Sequence, residues 1–259
     1  MDAGMEKFFS SLSSCFTFLS TIPLGASSDG VGDAMRHIYL FPVCAVVIGL
    51  VAGGIGYAAS YFFFHPVIIA LFAFTALYAL TGINHLDGLA DLGDGLATHG
   101  DSRRKIGAMK DLAIGTGGVG LVVFGLIATY TAILSIAYID PSSLLSALVV
   151  GEVCSKHAML TVSLKARVIH DGMGSVTIRH TTPVKYLISL GVTLIVCTIL
   201  CEVQGLGALV VSTIAALLLR VTANRQFGGV SGDVIGAANE VARIAALVTL
   251  SGVFSWMHS

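Results

Sequence analysis

Tyr39-Leu-Phe-Pro-Val-Cys-Ala-Val-Val-Ile-Gly-Leu-Val-Ala-Gly-Gly-Ile-Gly-Tyr-Ala-Ala-Ser-Tyr-Phe-Phe-Phe64 runs without one Asp, Glu, Lys, Arg or His. A helix crosses the hydrocarbon core of a bilayer with about 20 mostly apolar residues, so this stretch is long enough to span. His65-Pro66 interrupts it, and a second apolar run follows over 66–84. Further runs occupy 117–139, 142–164, 184–202, 205–222 and 241–257. The expected fold is therefore all-α, a polytopic integral membrane protein with about seven transmembrane helices in a single domain, 1–259. Composition agrees. Only 11% of the 259 residues are charged and 55% are hydrophobic, against about 25% charged in an ordinary soluble domain. Mean hydropathy is +0.89. The net charge of −1 supplies no basic field for nucleic acid.

The charges sort by connection. His65-Pro66, Asp140-Pro141 and Val203-Gln204 mark short turns that contain no Lys or Arg. Lys7 and Arg36 precede the first run; Arg103, Arg104, Lys105 and Lys110 follow the second; Lys165, Arg167, Arg179 and Lys185 follow the fourth. Arg220, Arg225 and Arg243 are read as flanking the sixth connection. With seven spans these segments share one side, which the positive-inside rule makes cytoplasmic. The expected location is the cell membrane, multi-pass, with the N-terminus and active side cytoplasmic and the C-terminus outside. Phe8–Ile22 carries Asp2 and Glu6 upstream, where a signal peptide would be basic, and reads as an interfacial helix. The five cysteines form no CxxC pair and read as small buried hydrophobes.

Chemistry concentrates in three segments on the basic side. Asn84-His-Leu-Asp-Gly-Leu-Ala-Asp-Leu-Gly-Asp-Gly95 spaces Asp87, Asp91 and Asp94 at i, i+4 and i+7, one face of a helix. Three carboxylates at a membrane edge repel and are partly desolvated, and a divalent cation offsets both effects. Hard oxygen donors favour Mg²⁺ or Mn²⁺. Gly88 would let a bulky substrate approach, and His85 borders the acidic face. The second segment, Lys105 to Gly118, opens the third span. Gly115, Gly117 and Gly118 at a helix N-terminus are read as reaching a phosphate. Lys105 and Lys110 add charge, and Asp111 is a further metal candidate. The third segment, Asn224 to Glu240, contains Arg225, Gly228 and Gly229 with Asp233 and Glu240 seven apart. Gly232, Gly236 and Ala237 form a small-residue packing face. Glu152 and Lys156, i and i+4 inside the fourth run, read as a buried ion pair, and His157 as a core histidine. Acids and glycines gathered on one side of a membrane suit metal-assisted transfer of a phosphate-containing group.

At these residues the sequence resembles the cobalamin (5′-phosphate) synthase family, the adenosylcobinamide-GDP ribazoletransferases. The strongest parts are His85 to Gly95, Lys105 to Asp111 running into Ile114 to Gly118, and Gly228 to Glu240. Phe18-Leu-Ser-Thr-Ile-Pro23 and Phe41-Pro42 are weaker. The resemblance implies a Mg²⁺-dependent membrane enzyme of cobalamin assembly. It would join adenosylcobinamide-GDP to α-ribazole, or its 5′-phosphate, and release GMP. A homo-oligomer is compatible with this. In that reading Asp87, Asp91, Asp94, Asp111 and Asp233 are metal candidates, and His85, Asp87, Asp91 and Glu240 catalytic candidates. Lys105, Lys110, Gly115, Gly117, Gly118, Arg225, Gly228 and Gly229 are substrate-binding candidates. The chain departs from the family where an Arg usually precedes Ile-Pro (here Thr21), where Ser-Arg often follows Lys-Asp (here Leu112-Ala113), and at Lys156, where Arg is common. Two other readings stand beside it. A CDP-alcohol phosphotransferase-type enzyme also places Asp-Gly and paired acids at a membrane face, but its Ala-Arg pair and longer Asp spacing are missing. A transporter is expected to carry ionisable groups near the bilayer midplane.

Overall fold

The computed structural model of the chain describes residues 3–24 and 30–258, which are almost entirely helical. In chain order the helices are α1 (Ala3–Leu19), α2 (Gly30–Arg36), α3 (Phe41–Ser60), α4 (Pro66–Thr81), α5 (Asn84–Ala97), α6 (Ser102–Met109), α7 (Thr116–Ile139), α8 (Ser143–Ser163), α9 (Met173–His180), α10 (Pro183–Phe227) and α11 (Gly232–His258). Prolines at Pro42, Pro66 and Pro183 stand in the first turn of their helices, where the missing N–H costs nothing.

By length and apolarity five helices among the described residues can cross a membrane, or six if a bent pair counts as one. The difference from seven lies in two places. α4 has only 16 residues and bends by 89° into α5. Gly82, with φ +67°, makes that bend. Conversely, α10 is one 45-residue helix only by hydrogen-bond pattern. Cys201 and Glu202 leave helical φ/ψ, Glu202 at φ +45°. A side chain on Gly205 would collide with the Cys197 carbonyl, which a straight helix would keep far away. The two arms therefore fold back on each other. His157 on α8 meets Ser189 of the first arm at 3.0 Å, and Cys154 meets Cys197. Arg220 of the second arm donates to the Leu164 carbonyl at the end of α8 (2.7 Å).

The short turns collect at one end of the bundle. The His65 ring packs edge-on against Tyr138, and Gly53 of α3 lies against the Leu144 backbone of α8. Outward-facing Leu50, Phe72, Phe124, Ile199 and Leu218 clothe the long helices in apolar surface, as a lipid environment requires. α8 sits at the centre, buried along nearly its whole length.

One boundary is corrected. The last span begins at Gly232, not near residue 241. Asp233, Glu240 and Arg243 depress local hydropathy, so the helix reads as a loop in sequence. Arg243 does not flank a connection; it is fully buried inside the bundle.

Candidate active site

The polar ends of the helices meet where α5 crosses α11. Gly88 makes the crossing close: a Cβ there would lie 2.7 Å from the Asp233 carbonyl oxygen and 3.1 Å from its Cα. Gly236 reciprocates against the backbone of His85 and Gly88. The small face on α11 is thus a packing face, as expected. Gly88 does the same work and also lines the adjoining cleft. Beside the crossing is a cleft of about 340 Å³. α5 and α11 line it with Asn84, His85, Asp87 and Asp233; α1, α8 and α9 line it with Phe18, Met159 and Met173.

Asp87, Asp91 and Asp233 form the acidic edge. The Asp91 carboxyl is pushed up to about 7, first by partial burial, then by the charges of Asp233, Asp87 and Asp94. Asp233 accepts a hydrogen bond from Ser231 Oγ at 3.2 Å. Lys110 and His170 border a crevice on its other flank. His85 is buried, and its Nδ1 lacks a hydrogen-bond partner. Burial, then the positive charges of Lys156 and Arg243, hold its imidazole well below the usual range.

The donor set fits a hard cation. It offers carboxylate oxygens, partly desolvated and mutually repulsive. Among the described residues no three His, Cys, Asp or Glu side chains converge closely enough to hold one ion by themselves. Mg²⁺ characteristically uses one or two carboxylates and completes its shell with waters and substrate phosphates, so the spacing suits it.

Other predicted residues have different surroundings. Asp94 turns away from the acidic edge to α7, accepting from the amides of Gly115 and Gly118 at 2.7 Å each. It thereby satisfies two donors at that helix start and places a negative charge at its positive end. Those two amides are therefore engaged by protein, and Gly117 packs on Gly93 and Ala97 where α5 crosses α7. The three glycines build a helix crossing instead of a phosphate cradle. Asp111 is exposed and accepts from Ala113 N (3.1 Å). Lys105 bonds Gln226, and Arg225 is exposed on the last turn of α10. Gly228 ends α10 at φ +80°. Gly229 lies against the Arg167 carbonyl, where Val230 pairs with Val168. Both glycines serve the backbone.

Glu240 is not at the cleft edge either. It lies two turns deeper, where Arg243 Nη1 donates to both its oxygens at 2.6 Å and Tyr78 donates at 3.0 Å. Arg243 Nε also donates to Glu152 (2.5 Å), and Lys156 bridges Glu152 and Asn239 at 2.8 Å each. All are buried. The expected Glu152–Lys156 pair is there, inside a larger network that sequence spacing did not reveal. Its only local signal is the i, i+3 placement of Glu240 and Arg243. Lys156 contacts this network and no cleft surface, so its replacement of the family's Arg concerns the core. Thr21 occupies the end of α4, its N–H and hydroxyl donating to Leu80 and Ala79 carbonyls at 2.7 Å.

The sequence model of cobalamin-5-phosphate synthases matches residues 11–251. The chain belongs to the cobalamin-5-phosphate synthase family. Proteins named adenosylcobinamide-GDP ribazoletransferase from Methanococcoides burtonii and Methanocella arvoryzae are each 36% identical to it, over 254 and 263 residues. The alignments cover 95% of this chain in both cases, and 93% and 97% of those relatives. A relative of the same name from Methanosarcina mazei is 34% identical over 262 residues, covering 95% of this chain and 93% of its own. No solved structure matches. In this member of the cobalamin-5-phosphate synthase family, the matched region contains α5, α9 and the α11 face of the cleft.

Proposed function

We propose that this chain carries out the final assembly step of cobalamin biosynthesis, transferring the cobinamide phosphate of adenosylcobinamide-GDP to α-ribazole or its 5′-phosphate and releasing GMP. The observation that carries this reading is the near-full-length similarity to relatives of that name, with an acidic cleft at the α5–α11 crossing. The CDP-alcohol and transporter readings have no comparable support. Glu152, Lys156, Glu240 and Arg243 inside the bundle pair with one another, which accounts for them without ion passage.

A ribose hydroxyl oxygen of the acceptor attacks the cobinamide-side phosphorus. The new P–O bond forms as the bond to GMP breaks, and GMP leaves with that electron pair. His85, at the cleft wall, or a carboxylate of the acidic edge accepts the hydroxyl proton, a role typically worth about 10²–10⁴-fold. One or two of Asp87, Asp91 and Asp233 would hold Mg²⁺, which when bound polarises phosphoryl oxygens and neutralises developing charge. The α5–α11 crossing holds these acids beside His85. Lys110, Lys105 and Arg225 supply positive charge for the pyrophosphate. The cleft opens to the cytoplasm in this reading, because the basic segments share its side.

The test is GMP release by the purified protein in vesicles, given adenosylcobinamide-GDP, α-ribazole and Mg²⁺. Product that needs all three and stops with EDTA supports the reading. Product that persists in EDTA removes the metal. No product from folded protein overturns the reaction.

A further inference from the structure

The cleft wall divides by element. α5 and α11 contribute the carboxylates and His85, whereas the side chains from α1 and α8 are Phe18 and Met159, joined from α9 by Met173. The one hydroxyl on that side, Thr177 Oγ1, already donates to the Met173 carbonyl at 3.0 Å. The side chains of this half offer area and polarizable sulfur and few hydrogen-bonding groups.

Three chemical parts of the two substrates compete for the space. A corrin ring with its side chains is far larger than a cavity of about 340 Å³. Guanine is small enough, but its O6 and N7 acceptors meet no side-chain donor on the Phe18, Met159 and Met173 wall, and its N–H donors would compete with the metal for Asp87 and Asp233. A glycosylated benzimidazole presents two apolar ring faces and one weak acceptor nitrogen. With its ribose it suits a cavity at the small end of the roughly 300–1,000 Å³ range of ligand pockets.

Granting the reaction proposed above, we propose that this cleft is the acceptor subsite. The aromatic base of α-ribazole lies against Met159, Met173 and Phe18, and its ribose points to His85 and Asp233. The corrin ring remains outside. Methionine adapts its shape to different partners. The subsite therefore accepts bases of varied outline and discriminates by size more than by hydrogen bonding.

The experiment measures steady-state GMP release for Met159→Phe, Met173→Phe and Met159→Leu in vesicles, varying each substrate in turn. Met159→Phe narrows a buried wall; Met173→Phe does so at a half-exposed position that folds more readily. Each Phe variant is expected to raise the KM for α-ribazole about tenfold or more. The KM for adenosylcobinamide-GDP should stay within twofold, and Met159→Leu, which nearly conserves volume, should raise the acceptor KM less than Met159→Phe does. With an α-riboside of a single-ring base the penalty should shrink. A rise in KM for adenosylcobinamide-GDP, or an unchanged acceptor KM in both Phe variants, overturns the subsite. Wild-type protein inactive with α-ribazole would instead overturn the reaction itself, so the two failures are distinguishable.

Discussion

Replacing Gly88 by Ala tests whether the α5–α11 crossing sets the geometry of the acidic cleft. The added methyl would start 2.7 Å from the Asp233 carbonyl oxygen, where ordinary contact begins near 3.4 Å. The obstacle is backbone, so no side chain can swing aside, and the helices must separate by about 0.7 Å. Asp87 then moves relative to Asp233, and both move relative to bound substrate. A misplacement of about 1 Å can cost on the order of 10²-fold in rate. Gly88→Ala is therefore expected to lower kcat by roughly 10- to 100-fold. Overpacking should also cost about 1–3 kcal/mol of stability, a shift measurable by thermal unfolding in detergent. Gly54→Ala is the control, because its nearest neighbour is a flexible Leu145 methyl at 3.8 Å. The assay is GMP release at saturating substrates in vesicles. A kcat within twofold of wild type would refute the reasoning, and a change confined to KM would mean that the methyl merely obstructs the cleft.

Asp87→Ala, Asp91→Ala and Asp233→Ala should each lower GMP release by at least about 10²-fold while the protein remains folded in membranes; near-normal turnover in any of them removes that residue from the site. Asp94→Asn should behave differently, losing about 1–2 kcal/mol of charge-assisted bonding to Gly115 and Gly118 and a few degrees of thermal stability, with turnover reduced less than in Asp87→Ala. Arg243→Met leaves Glu240 without a cation and Glu152 with Lys156 alone, and should destabilise by about 3–5 kcal/mol, visible as lost membrane yield; adding Glu240→Gln should recover part of it. Gly205→Leu should lower membrane yield, because any side chain there meets the Cys197 carbonyl across the hairpin.

Much of the architecture is legible from apolar run length alone, since a bilayer imposes that length. The hairpin at Cys201–Glu202 was readable too, because Val203-Gln204 interrupts an otherwise continuous run. The start of α11 was not. Hydropathy scores Asp233, Glu240 and Arg243 as solvent-seeking, and only three dimensions show that the latter two find partners on α4 and α8. The site divides similarly. Spacing put Asp87 and Asp91 on one helical face, and the structure keeps them there. The same spacing put Asp94 with them, but at that end of α5 the amides of α7 approach more closely. No periodicity within one helix encodes a partner 21 residues along the chain. Glycine was ambiguous for a related reason: Gly88, Gly93 and Gly117 look alike whether they admit a ligand or another helix. Met159 and Met173 carried no sequence signal, being ordinary apolar residues whose significance is purely positional, and Phe18 stood only in a weak segment of the family resemblance.

The buried network also bears on how the protein enters its membrane. Glu152 and Lys156 pair within α8, and Glu240 and Arg243 pair within α11. Each helix thus brings its own counter-ion for the charge it buries. A lone charge would raise the cost of partitioning by about 2.5–3.5 kcal/mol, whereas a helix with its buried charge paired can be released into lipid and wait. The Arg243–Glu152 contact joins residues 91 apart in sequence, so it forms only after the last helix is made. α8 can therefore reside in the bilayer during synthesis of everything that follows, and the cross-pairing acts as the latch that completes assembly.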